Sequence, residues 1–319
     1  MSNAQFTFQE VTRQKAKAAI QIQGLSGRGK TGLALLIAHA LTGDWTKVFA
    51  VDTENKSMNL YQGLKTTGGS IYEKFKIGYL TPDIGYKPSN YLAFRQAAIA
   101  AGAEAVIFDS VSHAWQYKGG VLDMVSQAKT KSTRYQKDAY AAWGDEEVVK
   151  EKNELLELIR SDKVHMITTV RVKEKMEYDK DETGKTVLVS LGEQQIQQAD
   201  LKYEPDLVLE MVSPGSDDSY PYAKVLKTRY AFLKLNETYC FDVSLLAQLR
   251  QYLDEGVDPE ILLEQQRKEY IEAIKTLLDS KPNLKDIWNV LKEDAGYKEI
   301  KLVDLPLEVV KSCYIKLTE

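Results

Sequence analysis

The chain has 319 residues, of which 44% are hydrophobic and 28% charged, with a formal net charge of −4. This suits one large or two modest domains with ample core, and it excludes a generally basic nucleic-acid binder while leaving a local basic surface open. No apolar run approaches membrane-spanning length and no signal-peptide core opens the chain. Cys240 and Cys313 build no disulfide or metal framework, so the expectation is a cytosolic protein with no membrane partner.

In chain order, Ala18-Ala-Ile-Gln-Ile-Gln23 reads as a strand and Gly32 to Leu41 as a buried helix. Between them, Gly24-Leu25-Ser26-Gly27-Arg28-Gly29-Lys30-Thr31 fills the G-x-x-x-x-G-K-[ST] pattern, in the strand–loop–helix setting that the pattern requires. The glycines let the backbone bend so that successive N–H groups point inward on a triphosphate. Lys30 supplies a point charge for the β- and γ-phosphates, and Thr31 a hydroxyl ligand for Mg2+, so ATP and Mg2+ are the expected ligands.

Lys47 to Val51 is a short strand ending in Asp52-Thr53-Glu54, and Phe75 to Leu80 a weaker, edge-like one. Pro88 opens a helix to about Ala101, and Ala105 to Phe108 is a buried strand ending in Asp109-Ser110. A polar helix is centred on Val148 to Ile159, and strands follow at Val164 to Val170 and Asp206 to Met211. This alternation predicts an α/β fold with a mostly parallel sheet covered on both faces. An acid at the carboxyl end of a buried strand lies where ligands bind such sheets, so Asp109 is expected to join Thr31 at the metal. Glu54, at the end of the second strand, is the candidate to activate the attacking water. Its plainer reading is a capping or solvated acid, and Asp52 competes with it.

Two segments carry cations. Lys118, Lys129, Lys131, Arg134 and Lys137 are interleaved with Trp115, Tyr117 and Tyr135, the mixture that single-stranded nucleic acid engages. Residues 171–190 look like a β-hairpin turning at Asp181 to Gly184, but acids balance bases between 171 and 185, which favours a solvated arm. Further on, Tyr222 to Tyr230 and Thr238 to Asp242 suggest another hairpin, with Lys227 and Arg229 on one side of the strand. On physics alone such a pair blunts a sheet edge. After the polar break at 254–259, helices are expected over Ile261 to Leu278, over Leu284 to Leu291 with Gly296 as C-cap, and after Pro306. The chain thus divides into 1–253 and a small helical C-terminal domain, 254–319, which carries no chemistry and is a candidate for recruiting a partner such as a single-strand DNA-binding protein.

The phosphate loop, Val51-Asp-Thr-Glu54 and Ile107-Phe-Asp-Ser110 together resemble the RecA-like P-loop ATPase core. More narrowly, Thr169 to Lys175, the acidic hairpin to Gly192, Tyr203-Glu-Pro-Asp206 and Lys227-Thr-Arg229 resemble phage AAA-type ATPases of recombination and single-strand annealing. The resemblance covers residues 15–245. It implies that Glu54 is the catalytic base, that Lys227 and Arg229 reach into a neighbour's ATP site within a homo-oligomeric ring or filament, and that single-stranded DNA is the partner, in a bacterial or phage-infected cytosol. Pro205 departs from the aromatic residue usual at its place. Thr168 and Thr169 stand where RecA carries a γ-phosphate-sensing amide, so the sensor candidates are Thr168, Thr169 and Arg171. A replicative helicase or helicase loader is the alternative. A nucleotide or small-molecule kinase fits less well, because Glu54 suits water activation and no Arg-rich lid is evident. A non-hydrolysing DNA-binding scaffold is the fourth reading.

Overall fold

The computed structural model describes residues 10–65, 71–131, 138, 140–180, 186–212 and 220–318, with the backbone alone for 174–180 and 186–193. Contacts divide the chain into residues 16–253 and a second unit that joins the residues up to Lys15 to those from Asp254 onward.

The larger unit is built on a sheet of order β3-β2-β4-β5-β1-β7-β8-β9, with β6 paired to β5. The strands are β1 (Ala19–Gly24), β2 (Val48–Asp52), β3 (Lys76–Tyr79), β4 (Ala105–Asp109), β5 (His165–Lys180), β6 (Thr186–Gln195), β7 (Leu207–Met211), β8 (Tyr222–Thr228) and β9 (Thr238–Cys240). Pairing is parallel from β3 through β7, so the phosphate loop and the ends of β2 and β4 share one carboxyl edge. It is antiparallel for β5–β6, β7–β8 and β8–β9.

Strand alternation feeds two cores. Ile20, Ile22, Ile107 and Ile167 point to the face covered by helix α1 (Lys30–Thr42) and helix α6 (Val243–Asp254), while Val106, Phe108, Met166 and Val170 point to the other. Between the strands that bear these residues come α2 (Pro88–Ala100), a short α3 (Ser112–Gln116), α4 (Val121–Lys131) and α5 (Glu146–Glu157). Helix α1 is apolar almost all round and correspondingly buried; Leu33, Leu35 and Ile37 have no exposed surface, each burial stabilising by about 1.5–3 kcal/mol. Helix α2 starts with Pro88, and its first turn is anchored by buried Glu151 of α5, which accepts from Ser89 N at 2.9 Å and Ser89 Oγ at 2.8 Å. A carboxylate there also complements the helix dipole.

Gly120, between α3 and α4, is fixed by close approach. A Cβ there would meet the carbonyl oxygens of His113, Ala114 and Tyr117 at 2.7, 2.8 and 2.9 Å. Gly120→Ala is expected to destabilise the larger unit by about 1–3 kcal/mol, read as a lower urea midpoint; an unchanged midpoint would contradict this packing.

In the second unit, α7 (Pro259–Ser280), α8 (Leu284–Asp294) and α9 (Leu307–Thr318) enclose a core of Ile271, Ile274, Trp288, Leu305, Val310, Cys313 and Leu317. Asp258 caps α7 by accepting from Glu260 N at 3.1 Å, with Pro259 in the first turn. Lys15 N donates to Val257 O at 3.0 Å, which ties the earlier residues to this unit. Among the described residues, no helix is long and apolar enough to cross a membrane.

Candidate nucleotide and metal site

The loop Gly24–Thr31 joins β1 to α1 at the carboxyl edge. Gly27 (φ 79°) and Gly29 (φ 85°) are left-handed, and Gly29 is the N-cap of α1. At Gly24 a Cβ would stand 3.0 Å from Met211 Cβ, so β7 presses on the root of the loop. Leu25, Ser26 and Arg28 complete the turn, with Ser26 exposed. Lys30 is buried and folds back into the loop, its Nζ donating to Gly24 O and Leu25 O at 2.9 Å each. The Lys30 ammonium and the N-terminus of α1 thus serve one concavity, the arrangement that receives phosphate.

Asp109, at the end of β4, is 1% exposed. Thr31 Oγ1 donates to its Oδ2 at 2.6 Å, and Thr169 Oγ1 of β5 donates to Oδ1. Burial pushes its carboxyl up to about 6, with Glu54 and Asp52 adding to the rise and the two threonine hydroxyls opposing it. A buried carboxylate facing other acids, beside a threonine hydroxyl, is a place short of positive charge. Mg2+ fits it, with Thr31 and Asp109 as the holding residues.

The two competing acids separate clearly. Asp52 is buried with both oxygens committed to the next turn, Oδ1 accepting from Glu54 N at 2.6 Å and Oδ2 from Met58 N at 2.9 Å. Glu54 keeps its carboxylate on the site side, where Oε1 accepts from Arg171 Nε at 2.7 Å. Burial raises the Glu54 pKa, but the Arg171 hydrogen bond and charge, with His113 and Lys30, outweigh it, and the net shift is downward. Asp52 therefore shapes the loop, and Glu54 is the acid that faces the site, with Arg171 on one of its oxygens.

Strand alternation also separates the two threonines. Thr169 lies on the α1 face and meets Asp109, whereas Thr168 lies on the other and donates to Ile20 O at 3.4 Å. Arg171 continues from β5, and its NH1 donates to Tyr117 OH at 3.0 Å. Several residues here gave no sequence signal. His113 lies 2.8 Å from Thr53 Oγ1, and burial, helped by Arg171, pushes it down to about 4, so it is neutral at pH 7. Tyr61 and Tyr72 fill the space beside Gly32, each 3.2 Å from where its Cβ would stand.

Lys227 and Arg229 are elsewhere. Leu207 pairs with both Ile20 and Thr228, which puts these cations toward the amino edge, four residues of β1 or about 13 Å along the strands from the loop and two strands across from it. There Lys227 Nζ donates to Tyr203 O at 2.6 Å, and Arg229 NH1 to Asp206 Oδ1 at 3.0 Å. An open groove of about 620 Å3 lined by Arg95, Glu157, Arg160 and Glu204 adjoins them, away from the phosphate loop.

Of the candidate DNA-contacting residues, Lys118 is exposed, while Lys129 and Lys131 ride on α4, with Lys131 3.6 Å from Glu147. Arg134, Lys137 and Tyr135 lie outside the described residues. The other interleaved aromatics have partners within the fold, Trp115 on Trp143 with centroids 6.0 Å apart and Tyr117 under Arg171.

No curated protein matches the chain. Among solved structures, the chain is similar to the KaiC-like protein PH0186 from the hyperthermophilic archaeon Pyrococcus horikoshii OT3, at 16% identity and a TM-score of 0.39 over 71% of this chain and 86% of that one. A family model described as AAA domain matches residues 16–242, well over half of the chain. The loop around Lys30 and the acid at Asp109 lie within that span, and the chain belongs to the AAA domain family, as a P-loop ATPase domain.

Proposed function

We propose that the protein hydrolyses ATP and acts on single-stranded DNA in phage-type recombination or annealing. The observation that supports hydrolysis most is the gathering of Lys30, Thr31, Asp109 and Glu54 at one sheet edge, with Asp52 committed elsewhere. When bound, Mg2+-ATP supplies the phosphoryl group under attack and a divalent charge beside it. Lys30 would exchange the Gly24 and Leu25 carbonyls for phosphate oxygens, and Thr31 and Asp109 would hold the metal. Glu54, ionised at neutral pH, accepts the proton of the attacking water. Thr169 reports through Asp109, which makes it the better placed of the two threonine sensor candidates.

The DNA reading rests on the resemblance in the motifs and on the cations at Lys118, Lys129 and Lys131. Lys227 and Arg229 are proposed to act in trans: their distance from their own loop suits that role, and Asp206 holds Arg229 meanwhile. Phosphate release measured with and without single-stranded DNA, alongside the mass of the assembly, tests the whole reading. Stimulation by DNA in an oligomer is the expected result; no response to DNA, or phosphate transfer to a nucleoside or metabolite, would sink the DNA role. Arg229→Ala is expected to lower turnover about 10^3-fold or more. Mixing it with Glu54→Gln, itself strongly impaired, should restore part of the activity, because a mixed interface joins one intact half-site from each. Mixtures no better than their components would place the pair outside the reaction.

A further inference from the structure

The β5–β6 hairpin reads from sequence as a solvated arm, yet its root, at Arg171 of β5 and Gln195 of β6, lies on the ATP site. On the outgoing strand, Arg171 lies in register with Gly24. Its Nε donates to Glu54 Oε1 at 2.7 Å and its NH1 to Tyr117 OH at 3.0 Å. On the returning strand, Gln195 pairs with Val172, and its Nε2 donates to the Oε1 of Gln23, the residue immediately before the first glycine of the loop. Gln23 Nε2 donates onward to Glu210 Oε1 of β7 at 2.9 Å, and Gln197 Nε2 donates to Gln195 Oε1 at 2.6 Å. Ile196 N donates to Arg171 O at 2.8 Å and closes the hairpin root.

Each contact constrains a different part of the site. A guanidinium is a rigid fork, so Arg171 fixes both the place and the orientation of the Glu54 carboxylate, with Tyr117 bracing the fork. The amide chain Gln197–Gln195–Gln23–Glu210 fixes the amide orientation of a buried side chain at the root of the loop. We infer that the hairpin root is a positioning device with two separate outputs: Arg171 sets Glu54 for attack, and Gln195, through Gln23, sets the phosphate loop for nucleotide. Anything that shifts the hairpin reaches both at once. The inference about Arg171 rests on Glu54 being the hydrolytic base; the one about Gln195 does not.

Steady-state ATP hydrolysis and direct binding of a fluorescent ATP analogue separate the two outputs. Arg171→Ala should lower kcat about tenfold or more with analogue affinity changed less than about threefold, and Arg171→Lys, which keeps the charge, should recover part of that loss. Tyr117→Phe, which removes only the bracing hydroxyl, should lower kcat by a smaller step. Gln195→Ala should weaken analogue binding about fivefold with kcat at saturation within about twofold, the loss of one hydrogen bond. Thermal midpoints are read on every variant. The inference fails if Arg171→Ala leaves kcat within twofold. It fails too if the Arg171 and Gln195 variants shift kcat and affinity together in step with their loss of thermal stability. Glu54→Gln runs beside them: if it hydrolyses ATP at the normal rate, the hydrolytic role of Glu54 falls and the Arg171 output with it, while the Gln195 output is still decided by analogue affinity.

Discussion

Glu54→Gln is expected to lower kcat for ATP by about 10^2- to 10^4-fold, the usual worth of a positioned general base, while ATP affinity changes by no more than a few-fold. The substitution keeps size and hydrogen-bonding reach but removes the group that accepts a proton. The phosphate loop is untouched, since Lys30 and Thr31 make their contacts without Glu54. Asp52 cannot take over, because the N–H groups of Glu54 and Met58 occupy its oxygens and its side chain is 1% exposed. Single-turnover phosphate release and equilibrium nucleotide binding, measured on the same preparation, check both halves. A Gln variant that turns over normally removes Glu54 from the chemistry.

Asp109→Asn is expected to do two opposite things. Turnover should fall about 10^2-fold or more, because the proposed Mg2+ site would lose its buried carboxylate ligand. The nucleotide-free protein, however, should become more stable at pH 7.5. A carboxyl lifted from 3.8 to about 6 binds more protons in the folded than in the unfolded chain between those values. Its contribution to stability therefore falls as pH rises from 3.8 to about 6 and stays low above that, by on the order of 3 kcal/mol when the group is ionised. Asparagine carries no charge to bury, and the hydroxyls of Thr31 and Thr169 can rotate to pair with its amide. Thermal midpoints without nucleotide or divalent ion, at pH 5 and pH 7.5, should show a higher midpoint for the variant at pH 7.5 and a smaller gap between the two pH values. If the variant is less stable than the parent at pH 7.5, the two threonine hydrogen bonds to the carboxylate outweigh the cost of burying its charge.

The phosphate loop was legible because its chemistry fixes each residue type within a few positions: glycines where φ is positive, lysine for charge, threonine for metal. The acids were less so. Asp52 and Glu54 both follow the same strand, and only the short-range capping of the turn after Asp52 tells them apart, a pattern visible once the turn is known to close there. Thr168 and Thr169 depend on strand register, which one residue inverts. Helix α4 carries Val121, Met124, Val125 and Ala128 at helical spacing, a signal eclipsed by reading the same stretch for its lysines. Helix α6 likewise carries Leu246, Leu249 and Leu253. The contacts of Gln23 with Gln195, 172 residues apart, and of Glu54 with Arg171, 117 apart, leave no local trace at all.

Lys227 and Arg229 stand at the amino edge of the sheet, and the loop that would receive a neighbour's cations stands at the carboxyl edge. A two-fold pair uses one self-complementary patch, so it would meet the exchange only with the two copies antiparallel and would stop at two sites, short of a ring or filament. The proposed exchange is met instead by a heterologous, head-to-tail contact in which every copy gives from one edge and receives at the other. Such a contact has a direction. Repeated, it either closes as a ring with no unfilled site or runs on as a polar filament whose two ends differ: one terminal copy has its cations unspent, and the other has an ATP site that no neighbour completes.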